Sequence, residues 1–185
     1  MADNTSTVDP DYFQFKLSNV DQNTFQQYIG FQGLSNNFNN GTDDKNFMRS
    51  LFSDANLGSN LNVGFKGNPN MGSIVLNQFT NSSNFDTFIK TFVPGDGIFI
   101  INSIFGGTGA AGFPLLLKTL RSLDGAISSA QIGGLTFLPY FNLNKQDEVS
   151  SDTFMEKARI ALEYYNRTII SQNQINSLYL LGDNN

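Results

Sequence analysis

At 185 residues, set against about 150 per domain, the chain is long enough to bury a real core and predicts one domain rather than two. Only 15% of it is charged, against roughly 25% in an average soluble domain, so Asn, Gln, Ser and Thr must carry the surface polarity. The absence of His and Cys excludes a zinc site built from those ligands, a Ser-His-Asp triad and a thiol nucleophile, and a net charge of -5 argues against nucleic-acid and anionic-membrane partners.

The opening stretch MADNTSTVDP has neither the basic nor the apolar region of a signal peptide, and no apolar run reaches about 18 residues. These features predict a soluble, cytoplasmic protein. Residues 1–60 are polar and punctuated by SNNFNNG (35–41), which predicts a loop-rich N-terminal segment distinct from residues 61–185. Within it, Tyr12 to Leu17 has strand character, Thr24 to Ile29 suits a helical turn or two, and Asp44 to Phe52 predicts an amphipathic helix burying Phe47, Met48, Leu51 and Phe52.

From residue 61 apolar runs alternate with amphipathic stretches, which predicts an α/β fold: a mostly parallel sheet with flanking helices. Asn62 to Phe65 reads as a short strand, GNPNMG (67–72) as a turn, and Ser73 to Phe79 and Phe85 to Phe92 as helical. The turn PGDG (94–97) leads into IFIINSIF (98–105), whose unbroken apolar character predicts a central strand buried on both faces. GGTGAAG (106–112) follows as a loop, with Pro114 near the first turn of a helix from Phe113 to Leu123. A strand from Leu135 to Leu138, a helix from Asp152 to Arg167, with Ser151 and Asp152 as natural caps, and a strand from Ser177 to Leu181 complete the series.

A glycine-rich junction between a buried strand and a helix suits an anion, because the backbone approaches closely and unpaired N–H groups and the helix dipole favour negative charge. A Walker A loop is excluded, since Gly112 leads into Phe113 and Pro114 rather than into Lys and Ser or Thr. Gly107, Gly109 and Gly112 spell G-x-G-x-x-G, the dinucleotide fingerprint of an oxidoreductase, but LTFLPYFN (135–142) lacks the acid that would hold a ribose. A structural reading stands beside these: the glycines allow a helix to pack tightly on a strand. Asp96 reads as a turn residue, and Asp43 with Asp44 and Asp147 with Glu148 as solvated pairs.

DGIFIINSIFGGTGAAGFP (96–114) resembles, without a gap, the strand and signature loop of the tubulin/FtsZ family. GFKGNPNMG (64–72) resembles that family's second phosphate loop through Gly67, Asn68, Pro69 and Gly72. LPYF (138–141), FMEKARIAL (154–162) and NSLYLLGD (176–183) are similar to segments that follow in the family, in the same order. Phe105, Ala110 and Ala111 depart from the signature; the family's opening Gly-rich strand, long central helix and catalytic loop have no counterpart. The resemblance implies a partial tubulin/FtsZ GTPase domain of Rossmann-like fold. It implies phosphate contacts from Gly106, Gly107, Thr108, Gly109, Ala110 and Ala111, with Gly67 and Asn68 near the terminal phosphate of GTP or GDP. Hydrolysis by this chain alone is not expected, and self-association or a companion segment is implied by the missing parts. A dinucleotide-binding oxidoreductase domain and a structural module that binds nothing are the two other readings.

Overall fold

The computed structural model describes residues 15–35, 43–140 and 151–182. Among them, short helices come first: α1 (Phe25–Tyr28), α2 (Asp44–Leu51), α3 (Asp54–Leu57), α4 (Pro69–Leu76) and α5 (Ser83–Thr91). Their starts are set by polar side chains that accept otherwise unpartnered N–H groups. Asp43 accepts from Asn46, Ser53 from Asn56, Asn68 from Asn70 and Met71, and Ser82 from Phe85.

Two expectations here are corrected. The stretch from Asn62 to Phe65 is not a strand: the Asn60 side chain accepts from the Asn62 N–H, a 3-10 turn forms over Leu61–Val63, and Gly64 turns away at φ 78°. Helix α2 forms where expected but does not bury its whole apolar stripe, since Phe47 and Leu51 stay exposed while Met48 is partly covered. Phe52 follows the helix in extended backbone, which turns its ring inward onto Phe25 at 4.9 Å.

The sheet follows, with strand β1 (Gly97–Ser103), helix α6 (Gly107–Ser122), strand β2 (Gln131–Phe137), helix α7 (Ser151–Tyr165, continued by a π-helical turn over Asn166–Ile170) and strand β3 (Ser177–Leu181). The three strands pair parallel in the order β1-β2-β3, with Ile100 opposite Gly134 and Gly134 opposite Leu178. This is a mixed α/β architecture with a small parallel sheet and flanking helices.

The expectation that Ile98 to Phe105 forms a central strand buried on both faces is corrected. Among the described residues β1 is an edge strand, and α6 and α7 pack on one face of the sheet, so burial alternates along it. Ile98 and Ile100 face the core with Ile132, Leu117 and Leu120, while Phe99 and Ile101 are 57% and 65% exposed on the other face. Beside this strand runs a cleft of about 640 Å³ lined in part by Phe15, Phe85, Phe88 and Phe92. Phe15 packs on Phe79 and Phe85, and residues 15–17 form no strand; positions 12–14 of the expected strand lie outside the described residues.

A second apolar cluster joins the early helices to α4. Phe25, Phe52 and Leu61 pack with Phe65, Met71 and Val75, so this cluster contains residues from both sides of position 60.

Candidate functional site

The segment 106–112 is not a loop. Helix α6 starts at Gly107, six residues before the expected start, and the glycines form its first two turns. Glycine is a poor helix former, and tertiary packing overrides that propensity here. A Cβ on Gly109 would lie 2.2 Å from the Ser103 carbonyl oxygen, and one on Gly107 would lie 2.6 Å from the Phe65 Cβ. A Cβ on Gly72 of α4 would meet the Gly107 carbonyl oxygen at 2.7 Å. Contacts this short exclude any side chain, so these three glycines let α6 lie against the end of β1 on one side and against α4 on the other.

Gly106 is different. It caps α6 in extended conformation at φ -99°, and a Cβ there would have only the Ser103 Oγ near it, at 3.9 Å. Among the described residues no side chain caps this helix. The Ala110 N–H reaches the Gly106 carbonyl at 3.4 Å, so the N–H groups of Gly107, Thr108 and Gly109 are the ones without an intrahelical acceptor. Thr108 is exposed beside them, whereas Ala110 and Ala111 are buried and turn their methyl groups into the packing.

The expected second loop is adjacent. Its Lys66 and Gly67 take left-handed backbone at φ 45° and 65°, Asn68 caps α4, and Pro69 occupies its first turn, where the missing N–H costs nothing. The Asn68 backbone nitrogen lies 3.2 Å from where a Gly107 Cβ would be. The Lys157 Nζ of α7 donates to the Gly67 carbonyl at 3.1 Å. Thus Asn68 stands against Gly107, the first residue of α6, and Gly67 beside it meets Lys157 of α7.

Beneath the first turns of α6 lies a polar network of Asn102, Thr136 and Tyr165. The Thr136 hydroxyl donates to the Asn102 Oδ1 at 2.8 Å, and the Asn102 amide reaches the Tyr165 hydroxyl at 3.4 Å and the Gly109 carbonyl at 3.5 Å. The Tyr165 hydroxyl donates to the Ala110 carbonyl at 3.2 Å. Pro114 explains that last bond. It sits two turns inside α6, not near its start, and its missing N–H leaves the carbonyl four residues back unpaired. Tyr165 supplies the replacement. Burial raises its phenol far above the usual range, while the Asn102 bond opposes that shift.

At the carboxyl ends of the three strands is an open cavity of about 430 Å³ lined by Ser103, Phe105, Phe137, Tyr140, Leu181 and Gly182. Phe105 and Tyr140 meet across it edge to face at 5.7 Å. Ligands of parallel α/β sheets bind at this end of the strands. Phe105, Phe137 and Leu181 were not among the expected site residues; their signal in the sequence is position, as each ends or follows a strand.

The remaining polar candidates have structural work. Asp96 accepts from the Val93 N–H at 3.0 Å, as a turn residue would, and Asp43 caps α2. Asp147 and Glu148 lie outside the described residues. No cluster of acidic side chains that could hold a metal occurs among the described residues, and among them no helix is long and apolar enough to cross a membrane. No protein-family model, curated protein or solved structure matches the chain.

Proposed function

We propose that the chain is a tubulin/FtsZ-like module that binds the phosphates of a guanine nucleotide, GTP or GDP, at the N-terminus of α6, with the nucleoside against the Phe105 and Tyr140 rings. The observation that carries this is the uncapped start of α6, preceded by Gly106. Packing does not require a glycine at that position, and close approach of an anion does. The contacts divide among the expected residues. Gly106, Gly107, Thr108 and Gly109 present backbone N–H groups, and Thr108 adds a hydroxyl. Ala110 and Ala111 support the turn from beneath, and Gly67 and Asn68 brace its flank.

Three or four charge-assisted bonds at about 1.5–3 kcal/mol each give roughly 5–12 kcal/mol gross, from which association subtracts about 4 or more. Binding is therefore expected in the millimolar to high-micromolar range. No histidine exists to act as base, and no segment resembles the family's catalytic loop, so steady turnover of GTP is not expected.

The test is Gly106→Val, read by equilibrium titration with GDP. A Cβ there has open space and the side chain covers the helix start, so affinity is expected to fall at least about tenfold, or 1.4 kcal/mol, with the fold retained and the melting temperature lowered only slightly because valine is a poorer N-cap than glycine. Equal affinity in that variant would remove the site from this position. The second reading, a structural module that binds nothing, is favoured by the contacts that make Gly107 and Gly109 obligatory for packing alone. It is distinguished by wild-type chain that shows no saturable response to GDP.

A further inference from the structure

Helices α6 and α7 and the turn leading into α4 border a cleft of about 710 Å³, whose lining includes Gly67, Asn68 and Ala110. Its floor is apolar, made in part by Ala111, Pro114, Leu115 and Ala161, and its walls carry Lys66, Lys118 and Lys157. No Asp or Glu among the described residues lines it. In a chain of net charge -5, three lysines line one cleft with no counter-ion among the described residues. The only ion pairs among the described residues are those of Arg159 with Glu156 and Glu163, on exposed side chains of α7. Lys66 and Lys118 make neither an ion pair nor a hydrogen bond there.

The charges sit at two ends. Lys157 donates to the Gly67 carbonyl beside Lys66, and this turn abuts Gly107 at the start of α6. Lys118 lies roughly three turns, about 16 Å, further along the same helix. Between the poles the floor offers small apolar side chains and, at its rim, the half-exposed Ile160 and Tyr164. A volume within the usual 300–1,000 Å³, an apolar body and a few placed charges are the attributes of a small-molecule site.

From this arrangement we propose that the cleft binds an elongated organic dianion, with one acidic group held by Lys66 and Lys157, the other by Lys118, and an apolar chain lying between them. The cleft shares Gly67, Asn68, Ala110 and Ala111 with the flank of the proposed phosphate site, but the lysines that hold the dianion are distinct from the N–H groups at the start of α6.

The experiment uses the full chain at low ionic strength, where screening is weak. Amide and lysine side-chain resonances are followed by NMR during titration with sebacate, decanoate and succinate. Sebacate has both charges and the chain, decanoate lacks one charge, and succinate lacks the length. Sebacate is expected to shift resonances of Lys66, Lys118, Lys157 and Ala161 and to bind about tenfold more tightly than either of the others, the worth of one charged contact of about 1.4 kcal/mol. Lys118→Gln, an exposed change that leaves the melting temperature in place, is expected to reduce sebacate to the affinity of decanoate while decanoate itself is unaffected. Equal binding of succinate and sebacate, an unaltered sebacate affinity in the Lys118→Gln variant, or no shifts in the cleft would overturn the proposal. Displacement of sebacate by GDP, with the GDP shifts falling in the cleft, would overturn the distinction between the two sets of contacts. GDP shifts confined to residues 105–109 would support it.

Discussion

Gly109→Val is expected to lower stability by about 3 kcal/mol or more, or to prevent folding outright. The new Cβ would lie 2.2 Å from the Ser103 carbonyl oxygen and 3.0 Å from the Ser103 nitrogen. Both are backbone atoms, and Ser103 is held in register opposite Phe137 of β2, so neither can yield without breaking the strand ladder. The matched control is Gly112→Ala in the same helix. There a Cβ meets only the flexible end of Leu76, at 3.5 Å, and alanine gains up to about 1 kcal/mol in helix propensity. Urea midpoints are expected to fall sharply for the first variant and to hold or rise for the second. An unchanged midpoint for Gly109→Val would mean that α6 does not lie against the end of β1.

Tyr165→Phe is expected to cost about 1–3 kcal/mol, the penalty of a buried carbonyl left without a donor. The hydroxyl satisfies the Ala110 oxygen that Pro114 leaves open and links it through Asn102 to Thr136, which is fully buried. A double-mutant cycle checks the cause. In a Pro114→Ala background, residue 114 regains its N–H and can bond the Ala110 carbonyl itself, so removal of the Tyr165 hydroxyl is expected to cost less than in the native helix. A pH series gives an independent reading. In the unfolded chain a tyrosine ionises near pH 10, whereas burial holds the folded Tyr165 protonated well above that. Above about pH 10 the folded state binds the extra proton, so this contribution to stability is complete below that pH and is lost as the pH climbs further. The native chain should therefore lose stability above pH 10 more steeply than Tyr165→Phe. Parallel pH profiles would contradict the buried assignment.

These two expectations rest on positions where local sequence was a poor guide. The strand Ser177–Leu181 was legible to the residue, because an apolar run between polar ends admits few other readings. Helix α7 and the parallel character of the sheet followed from the same alternation, although the strand expected from Leu135 begins at Gln131. The start of α6 was not legible, since Gly-Gly-Thr-Gly locally favours a loop and only the proximity of Ser103 and Phe65 makes it helical. The role of β1 was misread because its apolar character persists on both faces although helices cover only one, leaving Phe99 and Ile101 outside. For the candidate site, the sequence located the strand-to-helix junction, while Gly67 and Asn68 entered only through the family resemblance, and in the structure Asn68 packs on Gly107. The sequence could not separate glycines required by packing from Gly106, which is not. It also could not foresee that Phe105 and Tyr140 face each other, since that contact depends on where β1 and β2 end in register.

The central claim, an anion held by the first N–H groups of α6, is tested most directly by titrating the isotope-labelled chain with GDP and following its backbone amides by NMR. The expected result is a saturable shift of the Gly106, Gly107, Thr108 and Gly109 amides, in the millimolar to high-micromolar range, with the Phe105 and Tyr140 ring signals moving in step. Amides of residues 106–109 that stay in place at nucleotide concentrations of several tens of millimolar, or saturable shifts confined to another part of the chain, would contradict it.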